Sequence, residues 1–125
     1  MPVVSTYYAV DRYLFSISNA EGASMEPTIR SEDIVLIDKF TYRFLRPPQK
    51  DDIVVAIQPV SPETSICKRI VGVGGTTVPY GPGIKVSPQH YWLEGDNKNQ
   101  SYDSRHHGQV PVNLILGKIL AIIPV

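Results

Sequence analysis

The stretch Gly22-Ala23-Ser24-Met25-Glu26-Pro27-Thr28 sets one serine in a short turn that is bounded by a glycine and a proline. These two residue types favour turns, because glycine accepts backbone conformations closed to other residues and proline fixes one backbone dihedral. The turn is followed by Asp33-Ile34-Val35-Leu36-Ile37-Asp38, a β-branched run between acids that is typical of a buried strand. The sequence therefore predicts a serine held in a tight turn ahead of a core strand.

The rest of the chain predicts more short strands separated by turns. Runs rich in β-branched or aromatic residues, bounded by prolines, paired glycines or polar residues, predict strands at 52–57, 65–73, 76–78, 90–94 and 117–125. Residues 95–108 are polar and predict a loop, residues 111–116 predict one helical turn, and residues 1–20 predict a tail that could include a helix. The expected fold class is mostly β: a single-domain barrel or sandwich with long loops and little helix.

Composition sets the class of protein. The 125 residues support one domain with a modest core, and an apolar content of 42% argues against disorder. Twelve acidic residues balance twelve basic ones, which gives the chain no broad electrostatic attraction to nucleic acid or to an anionic membrane surface. Cys67 is the only cysteine, and the adjacent His106 and His107 have none of the usual zinc spacings. We therefore expect no nucleic-acid partner, no disulfide, no metal and no cofactor.

The N-terminal segment is the part of the sequence that bears on membranes. No window approaches the roughly 20 apolar residues of a membrane-spanning helix. The best candidate, residues 3–17, is interrupted by Asp11 and Arg12, and it lacks the basic start and clean apolar core of a secretory signal. Its aromatic residues are typical of a segment at a membrane interface. We expect residues 1–20 to be an N-terminal tail or the remnant of a membrane anchor, and residues 21–125 to form the functional domain.

A serine hydroxyl becomes a good nucleophile only when a base removes its proton, and Lys68 is the candidate base. The alternation of side chains along a strand places Ile66, Lys68 and Ile70 on one face of the strand at 65–73. Burial among isoleucines disfavours the charged form of a lysine and lowers its pKa from about 10.4 towards neutrality. Ser24 and Lys68 are therefore a candidate nucleophile and base, whereas Arg69, on the opposite face, should stay in water or pair with an acid.

A second candidate group lies in the polar loop, where Ser101, Asp103, Ser104 and Arg105 fall within five residues. The Arg105 guanidinium could pair with the Asp103 carboxylate and brace the loop. Each of these signals also has a purely structural interpretation when it is taken alone: a turn serine, a surface lysine and a solvated turn. A pairing of the Ser24 hydroxyl with the His106 imidazole is a further alternative that the residues leave open.

Four stretches, in this order, resemble the sequence boxes of type I signal peptidases, the Ser/Lys peptidase family. Residues 24–28 are similar to the family's Ser-Met-x-Pro-Thr box, and residues 52–55 to its Gly-Asp-Ile-Val strand, with Asp51 in place of the glycine. Residues 67–72 resemble its Lys-Arg-hydrophobic-x-Gly box, and residues 95–111 resemble its last box. The similarity covers residues 21–125, and it is greatest to the branch of the mitochondrial inner-membrane protease, catalytic subunit 1.

The resemblance implies a role for each matching residue. Ser24 would be the acylated nucleophile, and its backbone N–H would be an oxyanion donor. Lys68 would be the general base, and Ser101 would hydrogen-bond and orient the Lys68 amine. Asp103 and Arg105 would stabilise the loop behind these groups.

Two further positions matter for the implied substrate site. Met25 would lie near the substrate cleft. Gly22 stands where bacterial members often carry a serine whose hydroxyl completes the oxyanion hole, so the second donor would have to come from the backbone or from another group. The mitochondrial branch also tends to have glycine at that position. The fold implied by the resemblance is the mostly-β fold that signal peptidases share with self-cleaving repressor proteases.

The activity implied by the resemblance is that of a serine endopeptidase that removes signal or sorting sequences from membrane-translocated precursor proteins. The branch resemblance implies the mitochondrial inner membrane, with the catalytic domain facing the intermembrane space; the external face of a bacterial cytoplasmic membrane is the alternative. Expected partners are precursor polypeptides, the membrane and a partner protease subunit. Two other hypotheses stay open: a self-cleaving repressor-type protease, for which the chain lacks a helix-turn-helix and a basic patch, and an inactive module that binds extended peptides.

Overall fold

The computed structural model describes residues 14–125, which form nine strands and one short α-helix. In chain order the elements are β1 (Phe15–Asn19), β2 (Ile34–Asp38), β3 (Ile53–Gln58), β4 (Ser61–Val73), β5 (Thr77–Val78), β6 (Ile84–Lys85), β7 (His90–Glu94), α1 (Ser104–His107), β8 (Val110–Pro111) and β9 (Ile115–Ile123). A π-helical turn at Thr41–Leu45 and 3₁₀ turns at Lys98–Gln100 and Val112–Leu114 complete the regular structure of these residues.

Seven of the strands make one antiparallel sheet, and the other two make a small hairpin. The order in the large sheet is β1-β2-β9-β3-β4-β7-β8, and β5 pairs with β6. The prediction of a mostly-β fold with little helix is confirmed. Over residues 14–125 the sheet is open rather than a closed barrel, because β1 and β8, at its two ends, do not pair with each other.

The two central strands are buried on both faces of the sheet. Alternate residues of β3 and β4 enter two separate hydrophobic clusters: Val55 and Cys67 belong to one, whereas Val54 and Ile66 belong to the other. A strand that is covered on both faces needs apolar residues at consecutive positions. This explains why both strands could be predicted from continuous β-branched runs.

The first strand differs from the expectation for residues 1–20. Residues 15–19 form β1, which pairs with β2, so a helix at these positions was a wrong expectation. Phe15 and Ile17 are 48% and 66% exposed, whereas Ser18 is buried. The alternation is therefore inverted, with apolar side chains outside and a polar one inside, and it did not stand out as a strand. Residues 1–13, the rest of the expected tail or anchor remnant, lie outside the described residues.

Two other segments refine the predictions. The 3₁₀ turn at Val112–Leu114 confirms the helical turn expected within 111–116, and the polar stretch 95–108 contains α1 as well as loop. None of the helices in the described part of the chain has the length and hydropathy needed to cross a bilayer.

Replacement of Ile70 tests the double-sided core. Its side chain is fully buried, so Ile70→Ala should lower the free energy of unfolding by roughly 2–5 kcal/mol, through lost burial and a residual cavity. Ile123→Ala removes the same atoms from a side chain that is 54% exposed, and it should change stability by less than about 1 kcal/mol. Urea unfolding followed by circular dichroism measures both values. Equal losses in the two variants would contradict this description of the core.

Candidate active site

The turn that carries Ser24 is anchored by apolar side chains on its C-terminal side. It lies between β1 and β2, and backbone hydrogen bonds from Glu26 N–H to the Ala23 carbonyl (3.2 Å) and from Ile29 N–H to the Met25 carbonyl (3.0 Å) close it. Met25 and Ile29 are each 3% exposed and pack in the hydrophobic cluster that contains Val35, Val55 and Cys67. Packing of these two side chains fixes the turn against the sheet.

The Ser24 hydroxyl is buried and unpartnered. Ser24 is 2% exposed, and its Oγ makes no hydrogen bond to any of residues 14–125. Its carbonyl oxygen accepts a hydrogen bond from the Asn97 backbone N–H (2.9 Å), and the Asn97 side-chain amide donates to the Ala23 carbonyl (3.0 Å). The turn is thus docked on the loop after β7, while a reactive group of the turn is held out of water without a partner of its own.

Lys68 lies in the middle of β4, opposite Val54 of β3, and is 1% exposed. Its neighbours on the same face of the strand, Ile66 and Ile70, are fully buried in the hydrophobic cluster that contains Val54. Its Nζ donates a hydrogen bond to the Ser101 Oγ, at 3.1 Å. Burial lowers the pKa of Lys68 below the ordinary value for lysine, although the negative charge of Asp103 opposes this shift.

Asp103 fixes the direction of the Ser101 hydroxyl. The Ser101 O–H donates to Asp103 Oδ2 at 2.6 Å, and the same oxygen accepts from the Gly95 backbone N–H at 2.8 Å. Because its single proton is directed to Asp103, the Ser101 oxygen presents a lone pair to the Lys68 amine. Ser101 therefore acts as a hydrogen-bond acceptor towards Lys68.

The Asp103 carboxylate is held ionised by its neighbours. Its side chain is fully buried, and Arg105 donates from Nε to Oδ1 at 2.9 Å and from its terminal nitrogen to Oδ2 at 3.1 Å. Burial favours the protonated acid, but the hydrogen bonds from Arg105, Ser101 and the Gly95 N–H outweigh it and lower the pKa of Asp103 to about 2. The negative charge is therefore present at neutral pH.

Gly95 is the point at which the two halves of the site meet. A Cβ added at Gly95 would lie 2.5 Å from the Ser24 carbonyl oxygen and would collide with the Ser101 side chain. Strand β7 ends next to Lys68, because Glu94 pairs with Arg69. The absence of a side chain at Gly95 thus lets the Ser24 turn and the Ser101 side chain approach the same stretch of backbone.

A second polar cluster joins the Ser24 turn to the strand of Lys68, and sequence reasoning did not assemble it. Arg69 forms a two-point ion pair with Asp96, with distances of 2.9 and 2.8 Å. Thr28 donates its hydroxyl proton to the same carboxylate, and the Asp96 N–H lies 3.4 Å from the Met25 sulfur. Strand alternation indicated that Arg69 could pair with an acid, but nothing in the sequence identified Asp96 or Thr28 as its companions.

The remaining predicted positions lie around the same turn. Gly22, with a φ of 88°, lines a small apolar cavity together with Met25, Ile29 and Cys67. Burial raises the pKa of the Cys67 thiol to about 12, so the thiol stays protonated.

His106 Nδ1 accepts a hydrogen bond from the Asp103 backbone N–H (3.1 Å) rather than from Ser24, so the Ser24–His106 pairing receives no support. Among residues 14–125 no cluster of three or more His, Cys, Asp or Glu side chains could hold a metal ion.

The structure therefore connects Lys68, Ser101, Asp103 and Arg105 in one hydrogen-bonded chain. It places Ser24 on the neighbouring backbone through Gly95 and Asn97, but the Ser24 hydroxyl is not hydrogen-bonded to the Lys68 amine. Hydrogen bonds between a nucleophile and its base are often long or unformed when no substrate is bound. The arrangement can supply a buried hydroxyl, a buried amine of lowered pKa and a fixed acceptor that orients the amine.

Comparison with known proteins gives a consistent set of similarities. The model of the family described as "Signal peptidase, peptidase S26" matches residues 1–84 and 79–123. The chain is 37% identical over 125 residues to mitochondrial inner membrane protease subunit 1 of Schizosaccharomyces pombe, covering 95% of this chain and 80% of that protein. It is 40% identical over 114 residues to the human subunit 1, covering 86% and 68%. It is 33% identical over 132 residues to subunit 2 of Danio rerio, covering 98% and 70%.

The lowered pKa of Asp103 predicts a loss of stability in acid. A carboxyl group with a pKa of about 2 when folded and 3.8 in its reference state stabilises the fold by about 2 kcal/mol above pH 4, and that contribution disappears as the pH falls from 4 to 2. Asp103→Asn should be less stable at pH 7 and should lack this part of the pH dependence. Glu63→Gln removes an exposed carboxylate and should keep the wild-type profile. Urea unfolding at a series of pH values measures the free energy of unfolding of each variant. The same loss of stability between pH 4 and pH 2 in wild type and in Asp103→Asn would contradict the prediction.

Proposed function

Because the chain belongs to the signal peptidase family S26 and is thus a serine endopeptidase, we propose that it removes signal or sorting sequences from precursor polypeptides, with Ser24 as nucleophile and Lys68 as general base. The observation that carries the assignment of these residues is the buried Lys68 amine, hydrogen-bonded to Ser101 beside the loop on which the Ser24 turn is docked. An amine is a useful base only when it is neutral, and burial promotes that form.

Ser101 supports this assignment by orienting the amine. Its oxygen can only accept from Lys68, since its proton is directed to Asp103. One N–H of Lys68 is therefore directed to Ser101 whether the amine is charged or neutral. In the neutral amine the lone pair must point along another tetrahedral direction, which leaves it available for the proton of Ser24. Ser101 and Asp103 are thus positioning residues in the proposed mechanism.

The proposed reaction has two halves. Ser24 Oγ attacks the scissile carbonyl carbon while its proton moves to Lys68 Nζ, and the resulting tetrahedral intermediate collapses as Lys68 returns the proton to the departing amine. The product is an ester between Ser24 and the N-terminal part of the substrate. Water then attacks the ester carbonyl, with Lys68 again taking and returning the proton, and the carboxylic acid product leaves.

The oxyanion of each intermediate needs hydrogen-bond donors, and the proposal assigns the Ser24 backbone N–H as one of them. A single donor of this kind contributes roughly 3–4 kcal/mol to acyl transfer. Gly22 has no side-chain donor, so the second one would come from the backbone or from another group. The cavity at Gly22, Met25, Ile29 and Cys67 has a volume of only about 10 Å³, which is room for about one water molecule, so it does not itself accept a substrate side chain.

The proposed setting follows from the relatives. Those described above are named as subunits 1 and 2 of the mitochondrial inner membrane protease. By analogy, the chain would act at the mitochondrial inner membrane, with its catalytic domain (residues 21–125) facing the intermembrane space and with a related protease subunit as partner. The matched length supports this transfer, because the chain covers between 68% and 80% of each of these proteins.

Removal of either reacting group tests the mechanism. Ser24→Ala and Lys68→Ala should each reduce cleavage of presequence-junction peptides by on the order of 10³-fold or more, because residues that act as one catalytic unit fail together. Ser87→Ala and Lys85→Ala remove the same groups from exposed positions and should retain wild-type turnover. Product analysis by mass spectrometry, in detergent or lipid, measures the rates. Equal cleavage by wild type and both active-site variants would mean that another site or a contaminant is responsible.

The pH dependence of the reaction tests the role of Lys68 separately. A general base must be unprotonated, so kcat/KM should fall as the pH decreases through the pKa of Lys68. Burial lowers that pKa, so the midpoint of this fall in kcat/KM should lie below the ordinary lysine pKa of 10.5. A midpoint at or above pH 10.5 would be inconsistent with a buried lysine base.

A further inference from the structure

A long groove lies away from the Ser24–Lys68 site, where the segment 47–50 passes over the sheet. It consists of two adjoining cavities, of about 310 and 560 Å³, that share Pro47, Pro48 and Val112 as walls. None of the residues assigned to the reaction lines either cavity. The groove is therefore a separate feature of the surface, and the proposed peptidase mechanism does not account for it.

The charged side chains that line the groove are all basic. Its walls include Arg43 at one end and Lys50 at the other, together with Lys39, and they include no carboxylate, although the whole chain carries equal numbers of acids and bases. Arg43 and Lys50 are exposed, and neither forms an ion pair within residues 14–125. Arg43 and Lys50 are thus two exposed cations for which the described part of the chain shows no ion pair.

The carboxylate of Asp52, two residues after Lys50, is already occupied. Asp52 accepts hydrogen bonds from Tyr42 (2.6 Å) and from Arg46 (2.9 and 3.3 Å). These contacts hold Tyr42, which forms part of the groove wall, in a fixed position. The Asp52 charge is compensated by Arg46, so it does not cancel Arg43 or Lys50.

Two exposed apolar side chains directly follow Arg43 in the chain. Phe44 and Leu45, which follow Arg43, are 60% and 68% exposed. Phe44 packs on Phe40, with ring centroids 5.1 Å apart, and Phe40 packs in turn on Phe15, at 6.2 Å. Exposed aromatic and aliphatic side chains next to basic ones are typical of segments that lie in a membrane interface.

We infer that this groove is a binding site for an anionic lipid. The phosphate of the lipid would lie at the Arg43 end of the groove, its acyl portion would lie along Pro47, Pro48 and Val112, and Lys50 at the other end would add attraction for an anionic surface. Phe44 and Leu45 would enter the bilayer beside it. The complementarity of cations to a lipid phosphate and of apolar walls to hydrocarbon favours this occupant over an acidic peptide, which would leave the apolar walls unmatched.

Vesicle sedimentation with the purified full chain tests this inference without any use of peptidase activity. Wild type should bind vesicles with 30 mol% phosphatidylglycerol in phosphatidylcholine more tightly than vesicles of phosphatidylcholine alone. The double variant Arg43→Gln/Lys50→Gln should lose roughly 25-fold in affinity for the anionic vesicles, about fivefold for each cation removed. Arg30→Gln/Lys85→Gln makes the same change of charge at exposed positions outside the groove and should bind as wild type does.

A third variant separates the groove from a flat charged surface. Val112→Trp keeps both cations but fills the space where the two cavities meet, and it should also weaken binding to the anionic vesicles, with an unchanged circular dichroism spectrum. Binding of Val112→Trp or of Arg43→Gln/Lys50→Gln at the wild-type level would overturn the inference. So would complete competition by millimolar inorganic phosphate, which would reduce the site to a simple anion site, or binding of hexaglutamate in place of vesicles.

Discussion

The burial of one amine constrains the rest of this structure. Lys68 lies in a central strand that is covered on both faces, and its side chain is 1% exposed. An amine in that position must be neutral or well hydrogen-bonded, since an isolated buried charge is strongly unfavourable. The Ser101 oxygen is a defined acceptor for this amine, and the ionised Asp103, paired with Arg105, holds it in place. The buried polar groups form a connected chain in which each member fixes the next.

The same constraint bears on the close approach of three chain segments. In the proposed mechanism the Lys68 amine faces the serine of one loop while it is hydrogen-bonded to the serine of another, so both loops must approach the end of β7. Gly95 permits this approach because it has no side chain. The ion pair of Arg69 with Asp96, on the other face of β4, reinforces the same junction. The position of the Ser24 turn relative to Lys68 and Ser101 therefore depends on how closely the backbones of these segments approach one another.

Local patterns in the sequence predicted the features that depend on neighbours along the chain. Continuous β-branched runs gave the doubly covered strands, and alternation gave the burial of Lys68 and the outward direction of Arg69. The inverted pattern of β1 concealed a strand, because its apolar side chains face solvent. The partnership of Thr28 with Asp96 spans 68 residues, and the amide contact of Asn97 with Ala23 spans 74. Such pairings are set by the order of strands in the sheet, which no local pattern reports. The resemblance to signal peptidases identified the boxes but not the contacts between them.

The spacing of the site along the chain also has a consequence for folding. The β3–β4 hairpin that carries Lys68 is local in sequence, whereas the hydrogen bond from Lys68 to Ser101 joins residues 33 positions apart, and the Ser24 turn is joined to the loop after β7 across still longer intervals. Contacts between distant residues form late, because closing long loops is entropically unfavourable. A nascent or partly folded chain would therefore hold its lysine in a hairpin before any serine reached it. In the proposed mechanism, proteolytic competence is therefore the last property to emerge during folding.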